Sequence, residues 1–237
     1  AETVRPLQLV DVVETRPRAA RAVISATGTI VPARQITIHP EVNGRITSRS
    51  EEMVPGGRLS AGDVVARLDA RDYRFALDQE EARVTSAELE LRTERGRGRV
   101  AQVEWDLVGS RSTSNAIDQD LALRRPHLRT ATTNLAAARS NLRRAQLALQ
   151  RTTIRAPWNA VVIETFADVG QLVGPQTKVA TLVGTDAVWV RVSVPLERAR
   201  ELDIPGVNAE SGASARVLQA LGDEREVSWE GQIIRLE

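Results

Sequence analysis

Two stretches of this chain, PEVNGRI at residues 40–46 and APWNAVV at residues 156–162, open the same pattern of short β segments about a hundred residues apart. The pattern continues in two further pairs: GRLSAG at 57–62 with GQLVGPQ at 170–176, and VARLD at 65–69 with VATL at 179–182. If one residue is inserted, Gln176 aligns with Gly62. Val65, Ala66 and Leu68 then align with Val179, Ala180 and Leu182. A matched pair of short β units predicts two halves of one small sandwich, separated by an insertion.

The segment between the two β units carries a heptad repeat. Its second half has a leucine every seven residues: Leu121, Leu128, Leu135, Leu142 and Leu149. Its first half answers with Leu77, Val84, Leu91, Gly98 and Trp105, and the numbers of each facing pair add up to 226. Because facing residues of an antiparallel hairpin have a constant sum, the pattern predicts two helices that pair layer by layer around a polar turn at 109–115. Each helix would have about 37 residues and a length of about 55 Å.

The predicted hairpin is weakened near its middle. Gly96 and Gly98 of the first helix fall at the level of Pro126 of the second. In a helix interior, glycine costs about 1 kcal/mol and proline about 3 kcal/mol relative to alanine. Because these helix-destabilising residues face each other across the hairpin, they indicate either a bend or hinge there, or a local kink without a functional role.

Small residues also line the predicted seam, since Ala131, Ala138 and Ala145 each follow a seam leucine by three residues. Alanine lets helices approach closely, and a thin hairpin that buries little area benefits from packing beside copies of itself. The same alanines are equally explained by their high helix propensity.

Short strands are predicted on both sides of the repeat. Their segments mix β-branched residues with alternation and end at Gly or Pro: 7–13, 22–28, 35–39, 187–194, 212–218 and 227–236. One or two helical turns are expected at 196–202, and Asp69 is a candidate N-cap of the first long helix.

Composition excludes several classes of protein. The 237 residues are 42% apolar, which suffices for globular cores, and contain no cysteine, so no disulfide or thiolate site is possible. The 32 basic residues, all arginine except Lys178, are balanced by 31 interleaved acids to a net charge of +1, which argues against a nucleic-acid partner. The sequence has no run of about 18 consecutive apolar residues, so no transmembrane helix is predicted in it. The chain begins at Ala1 without a leader, so we expect that any signal or anchor was removed or lies outside it.

Few residues carry the chemistry that an enzyme or a cofactor carrier needs. A lipoyl or biotinyl carrier needs a lysine at the tip of a tight hairpin, whereas Lys178 lies beside a predicted strand. His39 and His127 lie far apart in the sequence and lack soft companion ligands, so no metal site is predicted. Nucleophile and phosphate-loop motifs are absent, so we expect neither catalysis nor a bound cofactor.

Five motifs carry a resemblance to a known family. They are Pro40-x-Val42-x-Gly44-x-Ile46, Val54-Pro55-Gly56-Gly57 with Gly62, Leu149-x-x-Thr152-x-Ile154-x-Ala156-Pro157, Val169-x-x-Leu172-Val173 and Val188-Trp189-Val190. Together these motifs resemble the periplasmic adaptor proteins, or membrane fusion proteins, of bacterial tripartite efflux systems, and most closely those that serve resistance-nodulation-division pumps. One departure is Ala160, where the family usually has glycine; alanine fits there only if its backbone avoids positive φ.

The resemblance implies an elongated α+β protein with three parts. A lipoyl-like β-sandwich would be split between residues 37–69 and 154–184, with an antiparallel coiled-coil α-hairpin at 70–153 inserted into it. An incomplete β-barrel domain would take residues 1–36 and 185–237, with a membrane-proximal strand at 7–13.

The resemblance also implies a non-enzymatic function. We expect a periplasmic adaptor, anchored to the inner membrane by an N-terminal segment beyond this chain, that links an inner-membrane transporter to an outer-membrane channel as a trimer or hexamer. The family's tip motif is Arg, then Leu four residues later, then Ser seven further on. Leu107 and Ser114 fit it, Val103 occupies the arginine position, and the expected channel contacts are Leu107, Arg111 and Ser114. The alternatives are a coiled-coil scaffold without pump partners and a lipoyl or biotin carrier.

Overall fold

The computed structural model describes residues 23–108, 116–220 and 226–236. The chain divides into two compact units: Val31–Trp189, and a second unit made of the residues on either side of that range. The α+β fold class predicted from the sequence is confirmed. The predicted strand at 7–13 lies outside the described residues.

The strands of the sandwich are short and come from both ends of the first unit. The N-terminal segment supplies β2 (Gln35–Ile38), β3 (Gly44–Arg49), β4 (Arg58–Leu59) and β5 (Val64–Leu68), after β1 (Gly28–Pro32). The C-terminal segment supplies β6 (Thr153–Arg155), β7 (Ala160–Thr165), β8 (Leu172–Val173) and β9 (Ala180–Gly184). The two four-stranded sheets have the orders β2-β9-β7-β4 and β6-β5-β3-β8. Each sheet therefore takes two strands from each segment.

The two sheets are related by a pseudo-twofold exchange that follows the sequence repeat. Exchanging β2 with β6, β9 with β5, β7 with β3 and β4 with β8 converts one strand order into the other. Ile46 lies opposite Leu68 in one sheet, just as Val162 lies opposite Leu182 in the other. The repeat in the sequence is thus a repeat of hydrogen-bonded architecture.

Hydrogen bonds also fix how the two repeats align. The amide of Gly56 donates to the Val162 carbonyl, and the amide of Gly170 donates to the Ile46 carbonyl, each at 2.8 Å. Both glycines have positive φ, 89° and 90°, which L-residues rarely adopt. Gly170 therefore corresponds to Gly56, and the one-residue insertion assumed from the sequence is not needed. Ala160 lies in β7 without positive φ, so the departure from the family's glycine is accommodated.

The core of the sandwich is aliphatic and lies between the two sheets. Its most deeply buried side chains include equivalent residues of the two repeats: Ile46 with Val162, Val65 with Val179, and Leu68 with Leu182. Burial of one such side chain contributes about 1.5–3 kcal/mol, so these few layers are the main source of the sandwich's stability.

The insertion between β5 and β6 is helical. It consists of α1 (Arg71–Val108), α2 (Ala116–Ala122) and α3 (Arg125–Gln150). Ion pairs join Glu88 to Arg139 and Glu94 to Arg124, so α1 and α3 run antiparallel, as predicted. The seam between them buries Ala87, Leu91, Ala131 and Leu135, flanked by Val84, Leu128 and Ala138. Ala131 is therefore buried inside the hairpin, and the partly buried Ala138 packs against the same cluster.

The return arm of the hairpin is not one continuous helix, which corrects the expectation of two helices of about 37 residues. A turn at Leu123 and Arg124 separates α2 from α3. Arg124 has φ 56° and ψ 20°, a left-handed conformation that costs a non-glycine residue about 1–2 kcal/mol, and Pro126 lies in the first turn of α3. As a result Leu123 is buried, while the heptad residue Leu121 is exposed.

Outside the sandwich, the strand predictions are confirmed more often than not. β10 (Val188–Val192), α4 (Leu196–Ala199), β11 (Ser214–Ala220) and β12 (Glu226–Gln232) match predicted segments, and β11 pairs with β12 in antiparallel register. The strand predicted at 22–28 is wrong, because the chain becomes a strand only from Gly28, where β1 pairs with β10.

Candidate functional site

The predicted tip contact is only partly within the described residues. Leu107 lies in the last turn of α1 and its residue surface is 79% exposed. Val103, at the arginine position of the family motif, is 60% exposed. Arg111 and Ser114 lie outside the described residues, so their proximity to Leu107 stays a prediction.

An exposed apolar stripe extends from Leu107 down α1. Val100, Val103 and Leu107 are all exposed and follow one another at spacings of three and four residues, which places them along one side of a helix. The tip motif includes Val103 and Leu107 but not Val100, so Val100 was not predicted from the sequence. The sequence does contain a signal for it: Val100, Val103 and Leu107 recur at helical spacing next to the seam positions Gly98 and Trp105.

The opposite end of the hairpin is fastened to the sandwich at three points. The amide of Leu68, at the end of β5, donates to the carbonyl of Thr152 at 2.8 Å. The two points where the chain passes between the sandwich and the hairpin are therefore adjacent. The Tyr73 hydroxyl of α1 donates to the Asn43 carbonyl at 2.6 Å. After α3, the Arg151 guanidinium pairs with Glu41 at 2.6 Å. Each helix thus has its own tie to the loop before β3.

Asp69 begins the hairpin as the predicted cap. Its Oδ1 accepts a hydrogen bond from the Arg71 amide at 3.1 Å, and its Oδ2 accepts one from Arg71 Nη2 at 2.6 Å. The guanidinium of Arg71, followed by the amide of the same residue, lowers the pKa of Asp69 from 3.8 to about 2. The carboxylate is therefore charged at neutral pH and stabilises the positive end of the helix dipole.

The residues considered for cofactor or metal chemistry do not converge. Lys178 is exposed and lies between the turn at 174–177 and β9, where its ammonium is 5.5 Å from the ring of Phe166. His39 follows β2, and His127 lies in the first turn of α3. Among residues 23–108, 116–220 and 226–236, no group of three His, Asp or Glu side chains could hold a metal ion. Within the same residues, no helix has the length and apolar character needed to cross a membrane.

Sequence comparison finds relatives with named functions. The chain is 27% identical over 237 residues to the efflux pump periplasmic linker BepD of Brucella suis biovar 1, a match that covers 96% of this chain and 57% of the relative. It is 23% identical over 204 residues to the multidrug resistance protein MdtA of Yersinia enterocolitica serotype O:8, covering 85% and 43% of the two chains. The chain thus spans about half the length of the curated relatives it matches. No family model matches it.

Structure comparison finds the same fold in proteins of low sequence identity. A membrane fusion protein from Streptococcus pneumoniae R6 matches with a TM-score of 0.58 and 14% identity, over 89% of this chain and 81% of that one. MacA from Actinobacillus actinomycetemcomitans matches with a TM-score of 0.54 and 18% identity, over 90% and 65% of the two chains. The resemblance predicted from the sequence motifs is confirmed.

Proposed function

Because this chain has the fold of the membrane fusion proteins and is similar over nearly its whole length to a periplasmic linker of an efflux pump, we propose that it is the periplasmic adaptor of a tripartite efflux pump. The transporter it serves would be of the resistance-nodulation-division type. The observation that carries the proposal is the helical hairpin inserted between the halves of a pseudo-symmetric sandwich, in a chain related to a named linker.

The proposed function is mechanical, and the contacts between the base of the hairpin and the sandwich support this proposal. A bridge between two partners needs an arm whose direction is fixed by its base. Here α1 is tied to the sandwich through Tyr73, and the end of α3 through Arg151, on the same loop. These two ties favour one direction of the hairpin relative to the sandwich.

The tip of the hairpin would meet the outer-membrane channel. The stripe of Val100, Val103 and Leu107 offers exposed apolar area for this contact, and the tip residues Arg111 and Ser114 would complete it. A photo-cross-linking amino acid at position 107 in the native host should attach the adaptor to the channel. The matched control is position 89, also on α1 and 62% exposed, which should not.

The second unit of the chain would face the transporter. We assign residues 1–36 and 185–237 to a β-barrel domain, 37–69 and 154–184 to the lipoyl-like domain, and 70–153 to the hairpin. β11 and β12 would belong to the barrel, and a cross-linker at the exposed Trp229 of β12 should attach the inner-membrane transporter. Cross-links from both positions to one and the same partner would contradict a bridging role.

The adaptor would act in the periplasm, held at the inner membrane by a segment beyond this chain, and would assemble as a trimer or hexamer around the conduit. Native mass measurement of the pump extracted with its transporter and channel tests this stoichiometry. One adaptor per complex would contradict it.

Deletion of the gene in its host gives the functional test. We expect greater susceptibility to the exported compounds and restoration by the full-length gene. We expect no restoration by a gene that lacks residues 71–151, because that product keeps the sandwich but lacks the arm. Full restoration by the shortened gene would refute the bridging function.

A further inference from the structure

The two arms of the hairpin are weakened at one level, and packing does not explain the weakness of α1. The break at Leu123 and Arg124 lies across from Gly96 and Gly98. A Cβ added to Gly98 would lie 3.8 Å from the Leu123 carbonyl oxygen, and one added to Gly96 would meet nothing within 4 Å. Alanine would fit at both positions, so these glycines are not needed for close approach of the helices. What they provide is a segment of α1 that bends easily.

A charged clamp spans the same level. Glu94 occupies a seam position of α1 and is only 8% exposed. Its Oε2 accepts hydrogen bonds from Arg124 Nε at 3.0 Å and Nη2 at 2.8 Å, and its Oε1 accepts one from Arg97 Nη1 at 2.7 Å. The Arg124 guanidinium, with help from Arg97, lowers the pKa of Glu94, so the carboxylate is charged at neutral pH. Arg124 is thus both the residue with the left-handed backbone and the residue that closes the clamp.

We propose that residues 94–98 and 123–126 form a latched hinge, in which the Glu94–Arg124 pair holds the end of α1 and α2 in one direction relative to α3. Opening the pair lets the end of α1 bend at its glycines while α2 turns about Arg124, and both helices stay folded. The inference concerns motion within the hairpin and stands apart from the proposed function.

A rigid kink is the alternative, and the geometry favours the hinge. A kink needs only the proline and the left-handed residue of the return arm. It gives no reason for two glycines in the opposite helix, nor for a buried carboxylate aimed at the kink. The Glu88–Arg139 pair, also between α1 and α3, lies in the uninterrupted part of the hairpin with both side chains about half exposed, and serves as a matched control.

Spin labels can report the hinge directly, because the chain has no native cysteine. Labels at Leu89→Cys and Leu121→Cys, both exposed, place one probe on each side of the break. Glu94→Gln keeps the size of the side chain and removes its charge. Pulsed electron resonance should then show a broader distance distribution, with a second arrangement about two- to fivefold more populated than in the parent. Glu88→Gln, made in the same labelled chain, should leave the distribution unchanged.

A second pair of variants tests the bending side. Gly96→Ala with Gly98→Ala stiffens α1, so it should narrow the distribution in the Glu94→Gln background. Amide exchange should show that the hydrogen bonds from the Leu123 amide to Gln119 and from the Leu128 amide to Arg124 persist. The proposal is overturned if Glu94→Gln gives the same distribution as Glu88→Gln, if the alanines leave the broadening intact, or if the Glu94 variant loses helix instead of turning. None of these outcomes bears on the cross-linking tests of the proposed function.

Discussion

Thr37 of β2 and Thr181 of β9 lie opposite each other in the first sheet, with their hydroxyl oxygens 3.2 Å apart. They are separated by 144 positions in the sequence, with the whole hairpin between them. Directly opposed residues of an antiparallel pair have Cα atoms about 4.5–5.5 Å apart, which lies within the range that a disulfide spans. Replacing both threonines by cysteine should therefore produce a disulfide on oxidation, without competition from native thiols.

The expected stabilisation follows from the length of the closed loop. Cross-linking residues 144 positions apart removes chain entropy worth about 5 kcal/mol from the unfolded state. Native-state strain and the lost contact between the hydroxyls reduce this figure, so about 3–5 kcal/mol is the expected gain in the free energy of unfolding.

The assay is denaturant unfolding of the oxidised and reduced forms of Thr37→Cys/Thr181→Cys, followed by far-UV circular dichroism. The midpoint should be higher for the oxidised form and return to the parent value with reductant. Pairing Thr37→Cys with Thr185→Cys, four residues further along the chain, should leave two free thiols. If the opposed pair also stays reduced in the folded protein, or if oxidation does not shift the midpoint, the register that joins the two segments is wrong.

Three further outcomes follow from the same structure. Gly56→Ala and Gly170→Ala should each lower the free energy of unfolding by about 1–2 kcal/mol, and by nearly the same amount. Both glycines have φ near 90° and open space at the Cβ position. Unequal losses in denaturant unfolding would count against the equivalence of the two positions. Leu182→Ala, in the centre of the core, should cost about 2–5 kcal/mol, while Leu172→Ala at an exposed site should change the free energy of unfolding by less than about 0.5 kcal/mol. The pKa of Asp69 is lowered from 3.8 to about 2 in the folded state, so its stabilisation is present above pH 4 and is lost as the pH falls toward 2. Asp69→Asn should therefore lower the melting temperature at pH 7 more than at pH 2, and a carboxyl signal that titrates at the ordinary value would contradict the cap.

The repeat and the heptads made most of the fold predictable. Apolar residues at matched spacing specify the two halves of the sandwich. The reason is that both halves contribute equivalent residues, such as Leu68 and Leu182, to one core. The seam of α1 and α3 was likewise readable, because burial of Leu91 and Leu135 follows the seven-residue period.

The break in the return arm was not readable in the same way. Leu121 and Leu128 keep the seven-residue spacing across it, so the pattern predicts a continuous helix. Pro126 is compatible with a kink inside a helix and equally with the first turn of a new one. The left-handed backbone falls on an arginine, a residue type that gives no such signal, and the side chain of this arginine pairs with Glu94 thirty residues earlier. Local propensity thus indicates neither this backbone conformation nor the tertiary charge pair that accompanies it.

The most direct test is to remove the hairpin and ask whether the sandwich still folds. Ala70 can be joined to Thr152 by a short Gly/Ser linker, because the Leu68 amide already donates to the Thr152 carbonyl at 2.8 Å. If two distant segments form one pseudo-symmetric sandwich, the shortened chain should keep its strand signal and unfold in a single cooperative denaturant transition. A shortened chain that has no such transition, although the intact chain has one, would contradict the account.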